Sequence, residues 1–271
     1  MAYKKRRRAA TSPIDKALAK SDAEFVKDYL EPAVPDLAPW TSEWTHPVSG
    51  RRYWIRLTRP ETLGERDLEA CFRLIEETSR ADYESSTMRW RPKHKRQEMR
   101  SPDLRYIVVQ ERSRTEAPVE APVKALAEAA TEEPPEKEDF DAAKDESGTR
   151  KDGDSADNST RTATIPAFTS LMPVYEDGEP VVYCYEIHLS QGLRGSGLGR
   201  LLLGFQSIIA HNLGPPVSKV MLTCFLSNSR ALQFYGSQGF VTDELAPATR
   251  RLRGGKVFQP DYTILSKPVA R

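Results

Sequence analysis

The stretch Arg194-Gly-Ser-Gly-Leu-Gly199 separates an apolar segment from an amphipathic one. Residues 181–189, which precede it, have the apolar character of a strand. The apolar residues after it recur at helical spacing, at Leu198, Leu201, Leu202, Phe205 and Ile209. A glycine-rich turn between a strand and a helix leaves backbone N–H groups unpaired at the positive end of the helix dipole. An anion such as pyrophosphate is favoured at that position.

The glycines of this turn let the backbone approach a phosphate closely, and Arg194 adds a charge-assisted contact. Three alternating glycines without a following G-x-x-G step do not match the dinucleotide fingerprint. The turn is not a P-loop either, because no Gly-Lys-Ser/Thr sequence ends it. Dinucleotide and nucleoside triphosphate sites are therefore excluded, although a turn of this kind, taken alone, also occurs without a ligand.

A second motif lies further along the chain and reads Asn228-Ser-Arg-Ala-Leu-Gln-Phe-Tyr-Gly-Ser-Gln-Gly-Phe240. The two motifs, in this order, resemble those of the GCN5-related N-acetyltransferases. In that superfamily the glycine turn holds the pyrophosphate of acetyl-CoA, and N-x-x-A-x-x-F-Y-x-x-x-G-F follows it. The resemblance implies an acyltransferase that uses acetyl-CoA as co-substrate and needs no metal.

Other segments are similar to the branch of the superfamily that acetylates the N-terminal amine of histone H4 and histone 2A. The similarity extends from about Arg66 to Lys267, apart from the insertion described below. The chain departs from this branch at two positions. It has Met88 where a Trp is common, and Val174 where the branch has an acidic residue. Glu176 is then the acidic residue available to a basic peptide. The segments are Tyr83-Glu84, Trp90, Arg96-Gln-Glu-Met99, Val182-Tyr-Cys-Tyr-Glu-Ile187, Lys219-Val-Met-Leu-Thr223 and Tyr262-Thr-Ile-Leu265.

The resemblance assigns roles to individual residues. Glu186, Tyr83 and Tyr262 would be catalytic, with Glu186 as the base that acts directly or through a water molecule. The peptide terminus would contact Tyr83, Glu176, Tyr185, Thr223 and Tyr262. Acetyl-CoA would contact the backbone of Ile187, His188 and Leu189 by a form of strand addition. It would also contact Asn228 and the residues of the glycine turn, which are Arg194, Gly195, Ser196, Gly197, Leu198, Gly199 and Arg200.

Each of these side chains also has an ordinary structural explanation. Glu186 is a solvated strand residue in that view, and strand alternation points its neighbours Tyr185 and Ile187 to the opposite face. Tyr83 and Tyr262 would be core aromatics. A general-base role for His188 is the alternative to a strand residue that lends only backbone groups. Cys184 and Cys224 are expected to be small apolar fillers rather than nucleophiles.

The hydrophobic pattern predicts an α/β (α+β) protein, with a mixed central sheet flanked by helices. This is the fold of the GCN5-related N-acetyltransferases. Predicted strands cover 52–58, 106–109, 165–175, 181–189, 219–225 and 262–266. Predicted helices cover 22–30, 68–78, 83–88, 93–100, 198–210 and 228–238.

Charge is distributed unevenly along the chain, although its 40 Lys and Arg nearly balance 39 Asp and Glu. Residues 1–20 hold seven basic residues and one acid, and residues 111–164 hold fifteen acids and eight bases. Such compositions cannot bury enough apolar surface to offset an ordering cost of about 1–2 kcal/mol per residue. We expect a basic disordered tail at 1–20 and a single domain at 21–267, interrupted by a disordered acidic insertion at 111–164 between two strands.

Composition also limits the class of protein. No apolar run approaches the roughly 20 residues of a membrane-spanning helix, and the start of the chain has no apolar signal region. Three scattered cysteines without a C-x-x-C pair indicate reduced, intracellular thiols. The basic cluster at 4–8 suits a nuclear import signal, a nucleic-acid contact or a solvated tail. We expect a nuclear and cytoplasmic protein, with a monomer favoured, that binds histone tails and requires neither direct nucleic-acid contact nor a membrane.

The leading functional hypothesis is a protein N-alpha-acetyltransferase of histone H4 and histone 2A tails, acting by direct attack in a ternary complex. One alternative is a lysine or small-amine acetyltransferase on the same scaffold. Another is an inactive acyl-CoA-binding module whose acidic loop recruits histones or chaperones.

Overall fold

The computed structural model describes residues 12–111, 164–251, 253–255 and 257–270. Within these ranges, eight strands form one mixed sheet in the order β1-β2-β3-β4-β5-β6-β10-β7. They are β1 Glu43–Thr45, β2 Arg52–Thr58, β3 Arg105–Glu111, β4 Ala167–Glu176, β5 Glu179–Leu189, β6 Lys219–Phe225, β7 Val241–Thr242 and β10 Tyr262–Pro268. A separate two-stranded ribbon pairs β8 Arg250–Arg251 with β9 Val257–Phe258.

The helices lie on both faces of the sheet. They are α1 Pro13–Leu18, α2 Asp22–Phe25 with a π-helical turn Val26–Leu30, α3 Pro60–Leu63, α4 Glu65–Ser85, α5 Pro92–Glu98, α6 Leu198–Asn212 and α7 Ser229–Ser237. Short 3₁₀ turns occupy Gln191–Leu193 and Arg253–Gly255. Strands β5 and β6 run parallel, and α6 is the crossover helix that a parallel pair requires. The predicted mixed sheet with flanking helices is confirmed.

Strand β3 shows why both faces of the sheet are covered. Ile107 and Val109 belong to one buried cluster, which also contains Phe205 of α6. Tyr106 and Val108 belong to another, which also contains Phe72 of α4. Because successive side chains of a strand point to opposite faces, each face of the sheet buries its own layer of helices.

Helix α4 is longer than the sequence pattern predicts. The prediction ended one helix at residue 78 and began another at 83, whereas α4 continues without a break to Ser85. No proline or glycine interrupts residues 78–85, so the backbone has no reason to leave the helix there. The difference matters because Thr78, Asp82 and Tyr83 all project from one rigid element.

The prediction that residues 1–20 form a disordered tail is wrong for residues 12–20. Helix α1 is capped by Ser12 and buries Ile14 and Ala17. Arg105, which is 1% exposed, donates hydrogen bonds to the carbonyls of Ala17 at 3.1 Å and Lys20 at 2.6 Å. A six-residue helix is too short to show a periodic pattern, and the arginine that anchors it is distant in sequence. Residues 1–11, including the basic cluster, lie outside the described residues.

The acidic insertion connects two neighbouring strands, as predicted. Strands β3 and β4 are antiparallel, and Val109 is opposite Ala167. The strand β3 itself extends to Glu111. The predicted disorder of the insertion concerns residues that the structure does not describe, since these begin again only at residue 164.

Replacing residues 114–161 with a four-residue glycine–serine linker is expected to preserve the fold, because the strands at both ends already pair. The free energy of unfolding should rise by about 1.4 kcal/mol, since each halving of a loop saves about 0.6 kcal/mol of closure entropy and the connection becomes about fivefold shorter. Urea denaturation measures this change. An unfolded product, or altered Michaelis constants, would show that the insertion has more than a connecting role.

No helix in the described part of the chain combines the length and the apolar character needed to cross a membrane.

Candidate active site

A cleft opens where β5 and β6 separate. Their parallel pairing joins Val182–Cys184 to Val220–Leu222, and both strands continue beyond it, to Leu189 and to Phe225. A cavity of about 1250 Å³ lies there and is lined by both strands and by α4, α5, α6 and α7. On its other side, β5 remains paired with β4 up to Leu189. The cleft side of residues 187–189 therefore offers an edge to which an extended ligand can add.

A β-bulge at Tyr185 changes which side chains face α4 and α5. Ser170 is opposite Glu186 and Leu171 is opposite Cys184, so Tyr185 has no partner position on β4. Before the bulge Cys184 packs in the cluster with α6, whereas both Tyr185 and Glu186 lie on the side of α4 and α5. Simple alternation predicted Tyr185 and Glu186 on opposite faces, and that prediction is wrong because the bulge adds one residue.

The glycine turn forms one end of the cavity. Gly195 and Gly197 have φ of +75° and +89°, and Gly197 is the N-cap residue of the 15-residue helix α6. The first turn of α6 contains no acidic residue, and Arg194 and Arg200 line the same end of the cavity. Exposed N–H groups, a helix N-terminus and two cations fit a pyrophosphate group.

Three other residues assigned to this turn have different structural roles. A Cβ at Gly199 would lie 3.1 Å from Cζ of Phe234, so this glycine allows α6 to pack closely against α7. The Ser196 hydroxyl donates to the Leu193 carbonyl at 2.6 Å, and the Leu198 side chain is fully buried. The side chains of Ser196 and Leu198 therefore shape the turn and do not line the cavity.

Asn228 lines the cavity and also caps helix α7. Its Oδ1 accepts a hydrogen bond from the Ala231 N–H at 3.0 Å, and its Nδ2 donates to Asp82 at 3.1 Å. Ser227 donates to the other oxygen of Asp82 at 2.7 Å. Asp82 of α4 thus fixes the loop between β6 and α7, which positions Asn228 beside the predicted cofactor site.

Glu186 is buried in an ion pair at the centre of the cavity wall. Its Oε1 lies 2.9 Å from Nζ of Lys95, and the residues are 9% and 7% exposed. Burial alone would raise the pKa of Glu186, but the attraction to Lys95 and the hydrogen bond with His188 outweigh it and lower the pKa to about 2. The carboxylate is therefore ionised throughout the physiological pH range. It is not a solvated strand residue.

Lys95 is a site residue that the sequence interpretation missed. Its Nζ also lies 2.8 Å from Oε1 of Glu98 and 5.0 Å from the ring centroid of Tyr83. Burial opposes its charge, yet the attraction to Glu186 and Tyr83 raises its pKa above the usual range. The only local signal was the i,i+3 spacing of Lys95 and Glu98, which is common on solvated helices.

His188 continues the network away from Lys95. Its Nε2 lies 2.5 Å from Oε2 of Glu186, and its Nδ1 lies 2.6 Å from Oγ1 of Thr78 on α4. The residue is 7% exposed. Its side chain is thus held at both nitrogens, which the prediction of a purely backbone role did not include.

Aromatic side chains form the other end of the cavity. Tyr83 packs edge-on against Phe225, with ring centroids 4.8 Å apart, and its ring is 5.5 Å from that of Trp90. Burial, together with the nearby charge of Glu186, raises the pKa of Tyr83 to about 12. The Tyr83 hydroxyl is therefore protonated at neutral pH and is suited to donate a hydrogen bond.

The predicted peptide-binding residues are only partly brought together. Glu176, Tyr185 and Thr223 line the cavity, as does Met88 at the position where a Trp is common. Tyr262 is not among the residues that line it, because its strand position is opposite Phe225, one strand further from β5. The structure therefore gives Tyr262 no place in the cavity wall.

Tyr183 is a second residue that the sequence interpretation missed. Its hydroxyl lies 2.6 Å from Oγ1 of Thr223, and its ring is 5.4 Å from that of Tyr185. Burial raises its pKa to about 12. The i,i+2 spacing of Tyr183 and Tyr185 on one strand was the signal that both rings share a face.

Among the described residues, no cluster of three or more His, Cys, Asp or Glu side chains is arranged to hold a metal ion. The three cysteines are buried and unpaired. Burial raises the pKa of Cys184 to about 11 and that of Cys224 to about 12, so neither thiol is ionised near neutral pH.

Comparisons with known proteins agree with this arrangement. Residues 124–240 match the family described as Acetyltransferase (GNAT) family. N-alpha-acetyltransferase 40 of Saccharomyces cerevisiae is 33% identical over 125 residues, which cover 35% of this chain and 42% of that protein. The chain thus spans less than half the length of this curated relative.

Similar solved structures have low sequence identity. Arabidopsis thaliana NAA60 in complex with a bisubstrate analogue is 12% identical, with a TM-score of 0.45 over 80% of this chain and 99% of that chain. A structure described as a putative phosphinothricin N-acetyltransferase is 17% identical, with a TM-score of 0.44 over 81% and 99%. The family match and the curated relative, together with the two sequence motifs, support an N-acetyltransferase of the GNAT superfamily.

Proposed function

We propose that this protein is an N-alpha-acetyltransferase that transfers the acetyl group of acetyl-CoA to the N-terminal amine of histone H4 and histone 2A. One observation carries the proposal. A single cavity joins a glycine-lined helix N-terminus to an aromatic pocket whose wall contains a buried, ionised carboxylate. The superfamily and the name of the yeast relative support it.

The cofactor end would be held by this chain's own backbone. Gly195 and Gly197 present N–H groups to the pyrophosphate, Arg194 and Arg200 add charge, and the free edge at residues 187–189 accepts the pantetheine arm. Bound in this way, acetyl-CoA supplies an activated thioester at the point where β5 and β6 diverge. Arabidopsis thaliana NAA60 has also been crystallised in complex with acetyl-CoA.

The nature of the amine follows from the energy of deprotonation. An α-amine has a pKa of about 7.7–8.0, so losing its proton at pH 7 costs roughly 1 kcal/mol. A lysine amine, with a pKa of about 10.4, costs about 4.6 kcal/mol. A cavity wall whose buried carboxylate, Glu186, is ionised and whose tyrosines are protonated is better suited to the first task. Attack by the neutral amine then depends mainly on positioning in a ternary complex.

One carboxylate of the cavity supports a basic peptide. Glu176 lines the aromatic end and would attract a cationic side chain near the substrate terminus, whereas Glu98 is already paired with Lys95. We infer that the partners are histone tails, bound without direct nucleic-acid contact or a membrane. We also infer a monomer that works in the nucleus and the cytoplasm, with the basic cluster at 4–8 as the import signal.

The test is acetyl transfer to a Ser-Gly-Arg-Gly peptide that carries a downstream lysine. The matched control is the same peptide with a blocked N-terminus. We expect turnover only with the free terminus, and a Michaelis constant that rises when the peptide Arg is replaced with Glu. Turnover that survives blocking would assign the activity to lysine. Silence with both peptides would indicate an acyl-CoA-binding module.

A further inference from the structure

The contacts of His188 connect the carboxylate of Glu186 to a hydroxyl on helix α4. Thr78 Oγ1, which lies 2.6 Å from His188 Nδ1, also lies 2.7 Å from the carbonyl oxygen of Leu74. Thr78, His188 and Glu186 all line the cavity. The chain of contacts therefore runs from a buried carboxylate, through an imidazole, to a hydroxyl that reaches the substrate space.

The hydrogen atoms in these contacts can be arranged in two ways while the heavy atoms stay in place. In the first, His188 is neutral: its Nε2–H donates to Glu186, and Nδ1 accepts from the Thr78 hydroxyl. In the second, His188 carries protons on both nitrogens, its Nδ1–H donates to Thr78, and the Thr78 hydroxyl turns to donate to Leu74. The network can thus take up one proton by rotating one hydroxyl group.

Glu186 is poorly suited to keep a proton itself. Its carboxylate is fixed by Lys95 on one oxygen and by His188 on the other. Its pKa of about 2 lies far below that of an α-amine, whereas an ordinary imidazole, at about 6.5, lies close to it. A buried carboxylate that holds one nitrogen of a histidine, and stabilises the imidazolium, leaves the other nitrogen to accept the proton.

We propose that His188, oriented by Glu186 and reached through the Thr78 hydroxyl, accepts the proton that the substrate amine loses in this cavity. The inference rests on the proposed function and changes the assignment of the base from Glu186 to His188. Glu186 is then a positioning residue.

The proton and bond changes balance. The ammonium group gives one proton, directly or through water, to Thr78, which passes its own proton to His188 Nδ1. The neutral amine forms the C–N bond as the C–S bond of the thioester breaks, and the second amine proton goes to the departing sulfur. His188 later releases its proton to solvent through the same hydroxyl.

Other titratable groups surround Glu186 and His188 and influence where the proton resides. They lie on α4, α5, α7, β3 and β5, and those of α7 and β5 are the protonated Tyr235 and Cys184. The ring of Phe168 on β4 packs against the imidazole, with ring centroids 5.5 Å apart. The charged residues of α5 are Lys95 and Glu98. Two tyrosines with ionisable hydroxyls also lie nearby, Tyr83 of α4 and Tyr106 of β3.

The experiment combines side-chain ¹⁵N NMR of the histidines with the pH dependence of kcat. In the wild type, His188 should change from the Nε2–H tautomer to the doubly protonated form as the pH falls. The kcat should fall over the same pH range. His188→Gln keeps hydrogen bonds to both neighbours but binds no proton. We expect it to lower kcat by about 100-fold or more, to remove the acid limb, and to leave the acetyl-CoA Michaelis constant within about twofold.

Two further variants test the role of the hydroxyl and control for other histidines. Thr78→Val removes both the hydroxyl that relays the proton and the acceptor of Nδ1–H, so kcat should fall and the histidine transition should move to lower pH. This variant also tests the proposal if His188→Gln fails to fold. His94→Gln, which removes another histidine of the same cavity, should keep the acid limb.

Two outcomes would overturn the proposal. One is a His188 that keeps a single protonation state between pH 5 and 9. The other is a folded His188→Gln variant with a wild-type kcat profile. Failure of the proposed function looks different: the wild type would turn over no peptide, and the NMR titration alone would then decide whether His188 accepts a proton.

Discussion

Lys95→Met is expected to lower the free energy of unfolding by about 3–5 kcal/mol, because it leaves the buried carboxylate of Glu186 without its cation. Both side chains are less than a tenth exposed, and their charged atoms are 2.9 Å apart. His188 alone cannot replace the lysine charge. Urea denaturation at pH 7 measures the loss.

The pH dependence of this loss has a definite sign. The folded pKa of Glu186, about 2, is below the ordinary carboxyl value of about 4.3, so its ionisation stabilises the fold above pH 4.3 by about 3 kcal/mol. That contribution disappears as the pH falls toward 2. Because the pKa of Lys95 is raised, its contribution is lost only above the ordinary lysine value of about 10.4. The difference between wild type and Lys95→Met should therefore shrink below pH 4.3.

Two comparisons isolate the buried pair. Arg80→Met breaks an exposed pair with Glu84 on α4 and should leave the denaturation midpoint within experimental error. The double variant Lys95→Met/Glu186→Leu, with no buried charge of the pair left, should recover much of the stability. A Lys95→Met variant that loses less than about 1 kcal/mol would contradict the argument that this ion pair is strongly coupled.

Gly197→Val is expected to raise the dissociation constant of acetyl-CoA by at least about tenfold, which corresponds to about 1.4 kcal/mol. Gly197 has a φ of +89°, which a β-branched residue rarely adopts. The backbone must therefore shift at the N-terminus of α6, and the N–H groups that would face the pyrophosphate shift with it. Calorimetric titration of the folded variant measures the effect.

Gly204→Ala is the matched control on the same helix. Gly204 lies in the interior of α6, does not have a positive φ, and has no atom within 4 Å of the Cβ position. Alanine should keep acetyl-CoA affinity unchanged and stabilise the protein by about 0.5–1 kcal/mol. A folded Gly197→Val variant with wild-type affinity would show that the cofactor does not bind at this turn.

Local patterns were sufficient to predict most of the architecture. Strands β2 and β6 have the bounds that their alternating residues predicted, 52–58 and 219–225. The glycine turn lies at the start of α6, as its sequence indicates. These features depend on neighbours along the chain, so one sequence is enough to read them.

The geometry around Glu186 was not predictable in the same way. Strand alternation predicted that Glu186 and Tyr185 point to opposite faces of the sheet, and the bulge at Tyr185 places both on the same face. Tyr262 shares the resemblance to the family but lies one strand away from the cavity wall. Helix α1 depends on Arg105, which is 88 residues from Ala17.

The sequence by itself therefore indicated the resemblance to the superfamily, the order of the elements and the glycine turn at one end of the cavity. Only the tertiary structure decided the proton network, because Lys95 is 91 residues from Glu186 and Thr78 is 110 residues from His188. Hydrophobic periodicity records that a position is buried, but not which distant side chain it meets there. The packing of α4 and α5 on the sheet decides which side chains Glu186 and His188 contact. The pKa of Glu186 follows from those contacts.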